Sequence, residues 1–379
     1  MNSSSLTVVT VASAVLENNR FESSKNMMNC LKSLRKAARA VAMPVLACAA
    51  AVLLTSCATE SAWDDSAITL EQDGPARLKQ LVEMQDRLED VSGKLLIRNT
   101  DLCQNQLRNI LGFSVANKYT YSSAWASMAE STLGLGNRLQ VMNVVPGTGA
   151  ERAGLKRGDV LVSIDGAAAP QGSNAEQEAV QMLSSAVSQG RAVAVTVSRG
   201  GSQRTLTIPV TVACGFHVEL GQSPNVTAFS DGNRIMITQG MMIYAKSDES
   251  LAYVIAKEMA HTVLDHPKLV KNTAKAKTLI DKLIQTPAKS TDTTGLRPMS
   301  RKFDIDSDSL SLAMLMRGGY GIDGTTRFWR NLAYHYPATR KKHYTSLHPE
   351  TTSRVSVMPQ SITRIKALER RRKALPSTR

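Results

Sequence analysis

The sequence predicts an α+β fold, a mostly helical core with a small edge sheet, interrupted by a β-rich module. Three observations carry this. From Arg77 to Leu96 the apolar positions Leu78, Leu81, Val82, Leu88, Val91 and Leu95 recur at helical spacing. Near Thr132 the texture changes to short β-type runs separated by Gly-Asp and Asp-Gly turns, continuing to about Ala213. Beyond Cys214 helical patterning returns, with Ser247 placed to cap a helix that opens on Asp248 and Glu249 and shows Leu251, Val254 and Ile255 on one face. A chain of 379 residues has room for two or three cores, and 42% apolar with 21% charged residues is a globular composition.

In chain order, residues 1–56 read as an upstream extension and a signal peptide. Lys32, Arg35, Lys36 and Arg39 form a basic region ahead of the apolar stretch VAMPVLACAAAVLLTS, which is shorter than the roughly 20 residues a span needs. A start at Met27 or Met28 would give this signal ordinary length. The tetrapeptide Leu54 to Cys57 resembles the lipobox of bacterial lipoproteins, which implies a lipid on Cys57. Ala58 after it implies the outer membrane, on the periplasmic face; a plain short membrane anchor is the alternative. Residues 57–76 form the tether, turn-rich from Trp63 to Pro75. Residues 77–130 are expected to be the N-terminal helical part of the main fold.

That address gives the cysteines meaning. Of five, Cys30 and Cys48 leave with the signal and Cys57 would carry lipid, so Cys103 and Cys214 remain as a disulfide candidate in an oxidising compartment. Two separate buried thiols are the other reading. The formal net charge is +14, and residues 1–56 hold six of the basic and two of the acidic side chains, so the remainder carries +10. Much of it lies in TRIKALERRRKALPSTR, a tail suited to anionic lipid, cell-wall polymer or simple solvation; the periplasmic address argues against nucleic acid.

Residues 131–213 are expected to form one module. Pro146 to Gly166, PGTGAERAGLKRGDVLVSIDG, gives a Pro-Gly turn, a short Ala-Gly-Leu helix, Gly-Asp, an apolar strand and Asp-Gly. AVQMLSSAVSQG then supplies a helix, and Arg199-Gly200-Gly201 the turn of a hairpin. This ordered series resembles a PDZ domain over about eighty residues. The resemblance implies a groove that takes protein or peptide ligands as an added strand, with the terminal carboxylate received near Leu133, Gly134, Leu135 and Gly136. Cys103 and Cys214 flank the module, so it is expected to be inserted into another fold.

Residues 214–379 carry the chemistry. VIAKEMAHTVLDH is one residue away from His-Glu-x-x-His, the helix that holds zinc through two imidazoles one turn apart, with the glutamate as general base. Glu258 and His261 keep their places, and Lys257 stands where the first histidine belongs. With NVTAF and RIMITQGMM ahead of it and SRKFDIDSDSLSLAMLMRGGYGIDGTTRFW and LHPETTSR after it, in order, this part resembles zinc metallopeptidase family 48. The likeness implies a zincin-like metallopeptidase core, an edge strand at RIMIT and envelope proteolysis in intact relatives. It aligns Asp308 with the family aspartate and places Asp304 where a glutamate ligand is expected.

Both departures fall on the metal. Four ligands share roughly 10 to 16 kcal/mol of zinc binding, so losing one costs about 3 kcal/mol. Without zinc the attacking water keeps a pKa near ~15.7 instead of about 7, roughly 12 kcal/mol of missing activation. Lys257 is expected to reach the metal position and pair with Asp304, Glu258 or Asp308, which makes zinc doubtful here. Two metal readings stay open: a site rebuilt from His261, Asp304 and His348, and a deprotonated lysine ligand. His266 is expected to face away from a shared metal, and His217, His335 and His343 show no ligand spacing. The function read from the sequence is an envelope metallopeptidase-family lipoprotein with impaired or lost catalysis. An active endopeptidase with a rebuilt site is one alternative. A non-catalytic PDZ peptide-binding or assembly scaffold is the other.

Overall fold

The computed structural model describes residues 74–103, 106–121, 125–285, 296–336 and 351–374. The first helix, α1 (Pro75–Arg98), starts on a proline at its first position and buries Leu78, Val82, Leu88, Val91 and Leu95. Its apolar positions do not all serve one core. Leu78 and Val82 pack with Trp125, Ala129 and Leu135. Leu88, Val91 and Leu95 join Leu251, Ile255 and Met259 further along the chain. A cysteine bridge joins Cys103 to Cys214. Beside it β1 (Leu107–Ile110) pairs antiparallel with a strand at Thr211–Cys214, with Leu107 opposite Cys214. This two-stranded ribbon is the neck through which the inserted module enters and leaves.

The module begins before residue 131, the boundary expected from sequence. After β1 come β2 (Phe113–Ala116), α2 (Ala126–Leu133), β3 (Gln140–Val144), α3 (Gly149–Arg152), β4 (Val160–Ile164) and β5 (Ala167–Ala168). They are followed by α4 (Ala175–Ser188), β6 (Val193–Arg199), β7 (Ser202–Ile208) and β8 (Thr211–Cys214). One sheet runs β2-β3-β4-β6-β7 with β5 paired to β4, and all these pairings are antiparallel. The β6–β7 hairpin turns at Gly200 and Gly201 as expected. Val193, Val195 and Val197 face the core with Ala179, Leu183 and Val187 of α4. Phe113–Ala116 escaped the sequence reading because a four-residue strand carries little periodicity.

Beyond the neck, β9 (His217–Gly221), β10 (Ala228–Ser230) and β11 (Arg234–Thr238) form a sheet of order β10-β11-β9. RIMIT is therefore the central strand, parallel to β9 and antiparallel to β10, and not the expected edge. The reason is legible afterwards: Ile235, Met236 and Ile237 are all buried, so both faces are covered. Then come α5 (Gln239–Tyr244), α6 (Asp248–Val263), α7 (His266–Leu269), α8 (Thr273–Gln285), α9 (Arg301–Arg317), α10 (Thr325–His335) and α11 (Thr351–Ala374). Ser247 caps α6 by accepting from the Ser250 amide, as its sequence predicts. Every residue of α6 from Leu251 to Thr262 is buried, because α1, α9, α10 and the small sheet surround it. Among the described residues no helix is long and apolar enough to cross a membrane.

Candidate functional site

The helix α6 carries Lys257, Glu258 and His261 to the centre of this core, and α9 brings Asp304, Ser307 and Asp308 against them. The Lys257 side chain is 1% exposed, and its Nζ donates to Asp304 Oδ1 at 2.8 Å and to Asp308 Oδ1 at 3.3 Å. It also approaches Ser307 Oγ at 3.4 Å. Arg354 of α11 grips Asp308 with two bonds, Nε to Oδ2 at 2.7 Å and Nη2 to Oδ1 at 2.8 Å. The Arg354 guanidinium lies 4.5 Å from the Trp329 ring centroid, and Lys257 Nζ lies 5.9 Å from it. Burial pushes the Asp308 carboxyl up, but Arg354 and then Lys257 more than offset this and hold it below the ordinary aspartate range. Lysine and carboxylates thus meet as the sequence led one to expect.

Ser307 and Trp329 were not singled out from sequence. Ser307 sits one helical turn beyond Asp304, so spacing held a signal for it; Arg354 is the arginine that ends the LHPETTSR stretch, and nothing in the sequence marked Trp329.

His261 is fully buried, its Nε2 2.9 Å from Ser307 Oγ and 3.5 Å from Asp304 Oδ1. Its Nδ1 lies 2.9 Å from Nδ1 of His266, so His266 meets the ring through the nitrogen opposite the one that faces Asp304 and Ser307. The chain reverses after α6 through Asp265 in the left-handed region, φ 58, and this returns His266 to its neighbour. His266 stacks on Phe303 at 4.2 Å between centroids, and burial pushes its pKa down to about 4. A neutral imidazole there can share one proton with His261 across the short contact. Among the described residues no three His, Cys, Asp or Glu side chains are arranged to hold a metal ion. The donors among the described residues do not fit zinc: the first position holds a paired ammonium, and both nitrogens of His261 already face hydrogen-bonding partners. His348, His343 and Cys57 lie outside the described residues.

His217 lies 3.0 Å from Arg108 and is pushed down to about 4 by burial and then by that guanidinium, a packing role. His335 meets the Tyr244 hydroxyl at 3.3 Å.

The inserted module offers a second site. Its strand β2 ends the sheet, and among the described residues no strand pairs with its outer edge. Gly112 precedes it with φ 89, which only glycine adopts readily, and Leu111, Phe113 and Val115 pack with the α4 residues Ala179, Leu183 and Val187. Asn109 Nδ2 donates to the Val187 carbonyl at 3.0 Å and fixes the start of this segment to the end of α4.

Leu133 to Gly136, expected to receive a terminal carboxylate, do not line the outer edge of β2. Leu133 ends α2, Gly134 caps it in the left-handed region, Leu135 is buried, and the Gly136 carbonyl accepts from the Lys118 amide on the β3 side of β2. The segment Leu111-Gly112-Phe113, with the same Leu-Gly signature, leads directly into β2.

Residues 109–210 match the PDZ domain and residues 204–370 match peptidase family M48, whose members are generally zinc-dependent. No curated protein matches the chain significantly. Among solved structures, the HtrA-type protease AlgW with decapeptide is 29% identical, with a TM-score of 0.21, over 28% of this chain and 30% of that one. AlgW with tripeptide is 27% identical, with a TM-score of 0.21, over 31% and 36%. The HtrA3 PDZ domain bound to a phage-derived ligand (FGRWV) is 19% identical, with a TM-score of 0.21, over 29% and 91%. The chain spans about a third of the length of the AlgW structures. The chain thus holds a PDZ domain and, overlapping its end and running on to residue 370, a region that matches peptidase family M48.

Proposed function

We propose that this chain is a peptide-binding protein built on a metallopeptidase fold in which Lys257 takes the place of zinc. The observation that carries the reading is the Lys257 ammonium, out of water and 2.8 Å from Asp304. Two cations, Lys257 and Arg354, pair with Asp304 and Asp308, so the carboxylates that a metal would draw on already have cations within the chain. Glu258 keeps the position of a general base, but it has no metal-bound water to act on. The PDZ domain then supplies the working surface: an extended segment adds to the outer edge of β2, and its side chains meet Phe113, Val115 and α4.

The test is zinc content by elemental analysis of the chain purified without a metal-affinity tag, wild type beside Lys257→His. The expected result is no zinc in the wild type and near-stoichiometric zinc in the variant. Stoichiometric zinc in the wild type would overturn the reading and return the search to His261, Asp304 and His348.

We also infer that the chain is anchored by lipid on Cys57 at the periplasmic face of an outer membrane. The Leu-Thr-Ser-Cys tetrapeptide supports this, as does a disulfide between the two cysteines left for it.

A further inference from the structure

The helix α1 touches both halves of the protein with adjacent residues. On one side Glu89 Oε2 accepts from Ser114 Oγ of β2 at 2.9 Å and from Asn143 Nδ2 of β3 at 3.2 Å, and Asn143 Nδ2 also reaches Asp90 Oδ1 at 3.0 Å. Arg157, from the loop ahead of β4, pairs with Asp86. The approach is close: a Cβ on Gly93 would stand 2.3 Å from Val145 Cγ1. On the other side Arg87 donates to Asp248 Oδ1 at 2.8 Å, to the Met242 carbonyl at 3.2 Å and to the Ala245 carbonyl, spanning the end of α5 and the start of α6. Leu88, Val91 and Leu95 lock that contact into the core around Leu251 and Ile255.

The strand β2 is shared. Ser114 points to α1, while its neighbours Phe113 and Val115 point to the PDZ core, and the register of β2 against β3 shifts between Ser114 and Val115. The Ser114–Glu89 bond falls at this irregularity and ties it to α1. From this geometry we propose that occupancy of the outer edge of β2 and the seating of α1 on α6 are coupled through Glu89. The inference rests on the peptide-binding reading above and names its regulation. With α1 seated, the edge of β2 is set in advance and a peptide binds more tightly. By reciprocity, a bound peptide steadies α1 against the start of α6. The coupling gives a fold without metal chemistry a means of responding to what its groove holds.

The experiment uses the full chain and a phage-displayed library of random heptapeptides with free C-termini. The best binder to the wild type is synthesised and titrated against Glu89→Ala, Glu89→Gln and Asn143→Ala. The alanine variants are expected to bind about fivefold or more weakly, and Glu89→Gln, which still accepts from Ser114, to stay within about twofold of wild type by the same scale. Peptide should also slow amide exchange from Arg87 to Val91 and from Asp248 to Leu251 in the wild type, and not in Glu89→Ala. A peptide that binds all four proteins equally and leaves exchange in α1 unchanged would overturn the coupling alone. A library that yields no binder to the wild type would overturn the peptide-binding reading and the coupling with it.

Discussion

With its ammonium between Asp304 and Asp308 and its stem packed inside the core, Lys257 is held as a structural cation. Replacing it by methionine keeps the volume and leaves the carboxylates short of one positive partner. Removing one member of a buried pair costs about 3–5 kcal/mol. The expected outcome for Lys257→Met is a loss of that size in urea unfolding, and an unchanged midpoint would show that Asp304 does not depend on this lysine. At this scale much of the site was legible. The lysine-for-histidine exchange four residues from His261 fixes which groups share a helix face, and the i,i+4 acids of α9 answer it. The Leu133 to Gly136 loop was not legible, because Leu-Gly-Leu-Gly suits a ligand-receiving turn and a helix C-cap equally well. Which role it takes depends on whether a helix precedes it, and Ala126–Leu133 has only moderate amphipathic signal.

Among the elements, the neck decides how the two halves stay together. Leu107–Ile110 and Thr211–Cys214 form a short ribbon, and the disulfide closes a loop of 111 positions beside it. On the chain-entropy account, cross-linking a loop of that length stabilises by about 4–5 kcal/mol. The double variant Cys103→Ser, Cys214→Ser is expected to lower unfolding stability by about that much while peptide capture by the folded protein is retained. Equal stability in wild type and variant, measured by denaturant unfolding under oxidising conditions, would show that the ribbon and the packing of α1 suffice without the bridge. The long helix α1, the β6–β7 hairpin and the capped α6 could be read from periodicity and turn chemistry. The central place of Arg234–Thr238 could not, since its partner β9 joins it through pairing that no local pattern announces.

For the molecule as a whole, the order of its parts was legible in the change of sequence texture near Thr132 and Cys214, while the start of the PDZ domain lay hidden in β1 and β2. The proposed anchor is likewise a property of the entire chain. The formal charge of +10 on residues 57–379 would draw it to anionic membranes, but such attraction is screened by salt, whereas an acyl anchor is not. The wild type is expected to remain with membranes through a high-salt wash and to leave with detergent, and Cys57→Ser to be recovered in the soluble fraction. A Cys57→Ser protein that stays with the membrane through high salt would dismiss lipid on Cys57 as the anchor.

The insertion also sets the order in which the molecule can be made. Arg87 and Asp248 are 161 positions apart, and Asp308 waits for Arg354 further still along the chain. A nascent chain that has finished the PDZ sheet still carries α1 with Leu88, Val91 and Leu95 uncovered, since α6 has yet to be synthesised. The small domain can therefore fold early on local pairings, while the helix that precedes it stays exposed and sticky until α6 has been made.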